Sequence, residues 1–177
     1  MRYRQMQGDI ERVLFGGAAI HKLLDEMAAQ ITADYPKREL TVIAILTGSL
    51  MFMSDLLRRI PLLLKLDCLS VASYHGKTQT SSEVIFKQLD VPNVAGRDLL
   101  ILDDILESGH TLAAVRKKLE RAKPRSIQVC VLRSKSKQRA REVDAAYIGF
   151  EIDDDFVVRL RARLHRAISQ PAVPWRA

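Results

Sequence analysis

Apolar residues recur along this chain with two different periods, and the switching between them predicts a layered α/β architecture. Ile20, Leu23, Leu24, Met27 and Ile31 fall three or four apart, so residues 18–33, preceded by Gly16-Gly17, read as a helix with one apolar stripe. Leu40 to Leu46 is a short, nearly continuous apolar run of the kind buried on both faces of a parallel sheet. It ends at Thr47-Gly48-Ser49, and a helix from Leu50 to about Arg59 follows. Leu62 to Ser73 reads as a longer strand, Tyr74 to Ser82 as a polar loop, and Val84 to Leu89 as a strand returning from it. Turn residues at 91–93 and 96–98 precede a second apolar run, Leu99 to Leu102, which runs into Asp103-Asp104. Leu112, Val115 and Leu119 then recur at helical spacing, and Ser126 to Leu132 and Ala146 to Phe150 supply two more strands. Strands alternating with helices imply an α/β fold, a central mostly parallel sheet flanked by helices, and 177 residues suit a single domain.

The segment from residue 99 to residue 111 carries the chemistry. An apolar strand runs into two adjacent carboxylates, and a small-residue turn then opens a helix. Ligands of open α/β sheets bind at such carboxyl ends of strands. Ser108, Gly109, His110 and Thr111 can aim backbone N–H groups and hydroxyls at an anion, where the helix dipole also favours negative charge. Asp103 and Asp104 are hard oxygen donors suited to Mg2+ or to ribose hydroxyls. The same pattern also suits an ordinary strand-turn-helix in which Asp, Ser and Thr merely cap the helix. Thr47-Gly48-Ser49, at another strand end, reads first as a helix N-cap and second as a diphosphate cradle.

The run Asp103-Asp104-Ile105-Leu106-Glu107-Ser108-Gly109-His110-Thr111 resembles the signature of the type I phosphoribosyltransferases, which bind 5-phosphoribosyl 1-diphosphate (PRPP). Residues 45–57 are similar to the corresponding stretch of the hypoxanthine-guanine members. The resemblance covers about residues 8–158. It implies the type I fold with a small hood region, and purine salvage from PRPP and a 6-oxopurine base with Mg2+. It implies that Ser108, Gly109, His110 and Thr111 hold the 5-phosphate, that Asp103 and Asp104 hold ribose hydroxyls and metal, and that Thr47 and Gly48 cradle diphosphate. Glu107 becomes the group that accepts the purine N7 proton. Ser73 and Tyr74 open a mobile lid. Lys135 donates to the purine 6-oxo group, Phe156 stacks on the base, and the backbone of Val157 meets its edge. Two positions depart from the common pattern: Thr47 stands where many members carry a basic residue, and Glu107 where the family usually has Asp. Outside the resemblance, Lys135 belongs to an alternating basic run, Arg133, Lys135, Lys137, Arg139 and Arg141, which reads as a solvated face. Phe156 by itself reads as a core residue.

Charge changes the picture only at the end of the chain. Of the net +7, residues 159–177 contribute five arginines and no acid, leaving 23 basic against 21 acidic residues before them. That near balance counts against the rival reading, a non-catalytic PRPP-sensing regulator that binds RNA on the same fold. After Phe156-Val157-Val158 the family pattern continues Gly-Tyr-Gly-Leu-Asp-(Phe or Tyr), whereas this chain has Arg159-Leu160-Arg161-Ala162-Arg163-Leu164, placing Arg163 where the Asp belongs. Codons exist for Arg159 to Arg166 that, read one base later, spell Gly-Tyr-Gly-Leu-Asp-Phe-Thr, and residues 159–177 therefore read as a frameshifted tail. The alternative is a genuine arginine-rich tail that binds an acidic partner. Cys68 and Cys130 lie in apolar runs and read as inert core thiols. No apolar run approaches the ~20 residues that span a bilayer, and Met1 to Asp9 has no signal-peptide core, so a cytoplasmic protein is expected. Members of the family commonly associate, which implies a homodimer or homotetramer.

Overall fold

The computed structural model describes residues 15–75, 82–87, 92–135 and 140–152. In chain order the elements are α1 (Gly17–Asp34), β1 (Leu40–Leu46), α2 (Leu50–Leu57), β2 (Leu64–His75), β3 (Ser82–Phe86), β4 (Asp98–Leu106), α3 (His110–Glu120), β5 (Ser126–Lys135) and β6 (Tyr147–Ile152). The strands form one six-stranded sheet in the order β3-β2-β1-β4-β5-β6. All neighbours are parallel except β3, which pairs antiparallel with β2.

Helices cover both faces of this sheet, as the apolar pattern requires. Leu24, Met27 and Ile31 of α1 and Phe52, Met53 and Leu56 of α2 pack with Val42, Ala44, Leu100, Leu102 and Cys130 on one face. Leu112, Val115 and Leu119 of α3 pack with Ile43, Ile45, Ile101, Val129 and Val131 on the other. Strands β1 and β4 are sandwiched between these layers, which is why both are almost continuously apolar. Cys130 is wholly buried, and burial pushes its thiol far above the usual range, in keeping with an inert core residue. Cys68 is half-buried beside the first layer, and both cysteines are free.

Several boundaries differ from the pattern-based expectation. β4 does not stop at Leu102 but carries both aspartates and continues to Leu106, because the pairing with β5 persists through Asp103↔Val131, Ile105↔Arg133 and Leu106↔Ser134. Cross-strand pairing here outweighs the low strand preference of Asp. For the same reason β5 reaches Lys135 instead of ending at Leu132, and β6 spans Tyr147–Ile152 instead of 146–150. β2 starts at Leu64 and runs to His75, and its partner β3 spans Ser82–Phe86, so Tyr74 belongs to a strand and not to the loop.

The chain leaves β1 to build β2 and β3 on one side, then returns to place β4 on the other. The reversal opens a crevice between the carboxyl ends of β1 and β4, the place where sheets of this kind take their ligands.

Candidate active site

The two turns singled out in the sequence meet at that crevice. Thr47-Gly48-Ser49 follows β1, the Leu46–Thr47 peptide bond being cis, and the Asp103 to Thr111 segment spans the end of β4 and the start of α3. They are in direct contact. A β-carbon placed on Gly48 would lie 2.7 Å from Asp104 Oδ1 and 3.0 Å from the carboxyl carbon, so only glycine leaves this carboxylate room. Ser49 occupies the N-cap position of α2 but does not cap it: its hydroxyl donates backwards to the Ile45 carbonyl at 2.6 Å. The N–H groups at the start of α2 therefore gain no side-chain cap from Ser49.

Asp103 and Asp104 are both buried, at 9 % and 7 % exposure. The Asp104 backbone N–H donates to Asp103 Oδ1 at 2.8 Å, which fixes the first carboxylate against the strand. The second carboxylate meets a residue that the sequence reading assigned to a solvated face. Arg133 is 7 % exposed, and its Nη2 stands 3.4 Å from Asp104 Oδ2 across the β4–β5 pair. Alternation does not find it: Val129 and Val131 face the α3 layer while Leu100 and Leu102 face the other, so a strict period of two would part Arg133 from Asp104, and the β4–β5 ladder skips Asp104.

The phosphate-loop reading gains a specific geometry. α3 begins at His110, and its N-cap is Gly109 in the left-handed conformation, φ 78°, ψ −11°, with no side-chain cap. Gly109 itself offers no side-chain cap, and the N–H groups at the start of α3 stand just past the carboxyl end of β4, where the crevice opens. The loop is buttressed from behind. Arg141 N–H donates to the Ser108 carbonyl at 3.1 Å, and a β-carbon on Gly109 would fall 2.2 Å from the Arg141 carbonyl oxygen.

Beside this loop, Lys135 at the end of β5 forms a direct ion pair with Glu107, just past the end of β4. The Lys135 side chain is only 14 % exposed, so it does not belong to a solvated basic face. An ammonium donor and a carboxylate acceptor thus stand side by side. Ser73 and Tyr74 pair in register with Val84 and Glu83 on the sheet-edge hairpin, while 76–81 lie outside the described residues. Phe156, Val157 and the arginine-rich tail also lie outside them.

Two adjacent buried carboxylates are a donor set that fits Mg2+. Among the described residues no cluster of three or more acidic, His or Cys side chains surrounds a potential metal position. That composition suits an ion that keeps waters and takes oxygens from a bound phosphate, and not a closed protein cage.

A mostly parallel sheet with a topological switch point, and a paired-acid strand end leading into a glycine turn and a helix, mark an α/β protein of the kind that takes its ligand at the carboxyl ends of its strands. The chain matches the phosphoribosyl transferase domain family over residues 15–163 and belongs to that family. It is 40% identical over 154 residues, 86% of each chain, to the hypoxanthine-guanine phosphoribosyltransferase of Staphylococcus epidermidis. A solved hypoxanthine phosphoribosyltransferase from Staphylococcus aureus matches with a TM-score of 0.82 at 36% identity, covering 88% of this chain and 85% of that one. The hypoxanthine-guanine phosphoribosyltransferase of Bacillus anthracis matches with a TM-score of 0.78 at 32% identity, covering 83% and 86%. The sheet and its flanking helices are those of the type I phosphoribosyltransferase fold.

Proposed function

We propose that the protein is a purine salvage enzyme that transfers the 5-phosphoribosyl group of PRPP to hypoxanthine or guanine, giving IMP or GMP and diphosphate. The observation that carries the choice of base is the Lys135–Glu107 pair. A 6-oxopurine with a proton on N7 presents an acceptor, O6, next to a donor, N7–H. An ammonium beside a carboxylate is the complement of that edge, whereas the 6-amino group of adenine would face another donor.

The remaining roles are those that the family resemblance implies. The N–H groups of the Ser108 to Thr111 turn hold the 5-phosphate. Asp103 and Asp104 would hold the ribose hydroxyls and Mg2+. When bound, the metal neutralises charge on the departing diphosphate. The Thr47-Gly48 turn receives the diphosphate. As the bond from ribose C1 to the diphosphate oxygen breaks, its electron pair leaves with diphosphate, purine N9 supplies the pair for the new bond to C1, and Glu107 accepts the N7 proton. Ser73 and Tyr74 would open a lid that excludes water from the electron-poor ribose. By the same resemblance Phe156 would stack on the base and the Val157 backbone would meet its edge. The enzyme is proposed to act in the cytoplasm as a homodimer or homotetramer; Leu63 and Leu66, 71 % and 52 % exposed, leave apolar surface for association.

The test is formation of IMP and GMP from PRPP by the purified full chain, with and without Mg2+, with adenine as control. Metal-dependent product from hypoxanthine or guanine and none from adenine is expected. Equal use of adenine would overturn the assignment of the Lys135–Glu107 edge.

A further inference from the structure

Arg133 plays no part in the roles above, yet it is buried at the centre of the site. Its guanidinium contacts Asp104 Oδ2 at 3.4 Å, while the other oxygen of the same carboxylate is the atom that Gly48 must leave room for. Guanidinium, carboxylate and diphosphate-cradle turn are therefore linked by successive contacts, from the end of β5 through β4 to the turn after β1. Thr47, next to Gly48 in that turn, is neutral, although two buried carboxylates stand at the strand end beside it, where a polyanion must be accepted. We propose that Arg133 is a positioning residue that supplies, through Asp104, the positive charge the Thr47-Gly48 turn lacks. It holds the Asp104 carboxylate against Gly48 and offsets the negative charge that this carboxylate presents to diphosphate.

The proposal rests on the placing of diphosphate at Thr47-Gly48. Its order of magnitude is that of a Coulomb interaction. A unit charge roughly 6–8 Å from an anion, at an effective dielectric of about 20, changes binding by about 30- to 100-fold, and partial neutralisation by Asp104 reduces this to about tenfold or somewhat more. Mg2+ moves the other way, since Asp104 without the Arg133 charge beside it attracts a cation more strongly.

The experiment measures calorimetric binding of inorganic diphosphate with Mg2+, and of Mg2+ alone, to the full chain. Arg133→Met is expected to weaken diphosphate about tenfold or more and to tighten Mg2+ alone. Arg133→Lys should stay within about threefold of the unaltered chain. Thr47→Lys in the Arg133→Met background should restore most of the lost diphosphate affinity, a rescue that repair of a merely structural defect would not give. Removing one partner of a buried ion pair is strongly destabilising, so Arg133→Gln, which retains a hydrogen-bond donor without the charge, replaces Met if that variant does not fold. Diphosphate binding within twofold of the unaltered chain by a folded Met or Gln variant overturns the proposal, as does a loss that Thr47→Lys leaves unchanged. If that variant binds normally while the unaltered chain forms IMP or GMP, only this inference falls. An unaltered chain that binds no diphosphate overturns both this inference and the placement beneath it.

Discussion

Replacing Gly109 by alanine should damage the phosphate loop in two separable ways. Gly109 sits at φ 78°, a conformation that costs an L-residue about 1–2 kcal/mol. Its new β-carbon would lie 2.2 Å from the Arg141 carbonyl oxygen, about 1 Å inside an ordinary contact, and the obstacle is backbone and not a flexible side-chain end. Relieving that clash pulls Arg141 from the loop and strains its N–H donation to the Ser108 carbonyl, worth about 1 kcal/mol. The sum is about 2–3 kcal/mol, read from urea denaturation. A shift of this size in the turn should also raise KM for PRPP at least about tenfold, since an ångström of misplacement can cost as much as 10²-fold. Two other glycines separate the terms. Gly96 has φ 69° with open space around its missing β-carbon, so Gly96→Ala should pay the conformational cost alone. Gly17 begins α1 in open space at an ordinary backbone angle, so Gly17→Ala should be neutral or stabilising by up to about 1 kcal/mol. If Gly109→Ala costs no more than Gly96→Ala and leaves KM unchanged, the contact between the phosphate loop and Arg141 is refuted.

Glu107→Gln should lower kcat by about 10²- to 10³-fold with little change in KM for PRPP, because it removes a proton acceptor but no phosphate contact; a variant that mainly raises KM would contradict that role. Stability should fall at alkaline pH. Burial raises the Cys130 thiol, and burial followed by the hydrogen bond it donates to Asp34 raises the Tyr147 phenol. The folded state thus keeps protons that the unfolded chain releases above about pH 8.5 and about pH 10 respectively, so both contributions are complete below those values and are lost as pH rises. Urea midpoints that stay flat to about pH 11 would refute this. The gene's codons for residues 159–177 are expected to be compatible with the one-base offset, and a chain carrying the restored frame should exceed the present one in IMP formation under identical assay; incompatible codons would rule the offset out.

Much of this protein was legible in its sequence because helices and strands carry their own periods. The α1 stripe, the doubly buried β1 run and the acid-acid-turn-helix segment each depend on residues close in the chain, and each appears in the structure within a few residues of its expected place. The family motif likewise lies within one stretch, so the resemblance could be read from residues 103–111 without any knowledge of packing.

What local pattern could not supply was pairing. The Asp residues looked like the end of a strand, and only the ladder to Val131 and Arg133 keeps them inside one. An alternating basic run looked solvated, and only the register of β5 beside β4 turns Arg133 inward to Asp104 and brings Lys135 to Glu107. The hydroxyl of Ser49 looked like a cap, yet the fold turns it back to Ile45. The sequence by itself determined the elements, their buried faces and the chemical type of the site, since these follow from side-chain identity at short spacing. Tertiary structure alone decided strand order, the contact of Gly48 with Asp104 and the partners of each charge, because those depend on residues tens of positions apart being brought within a few ångströms.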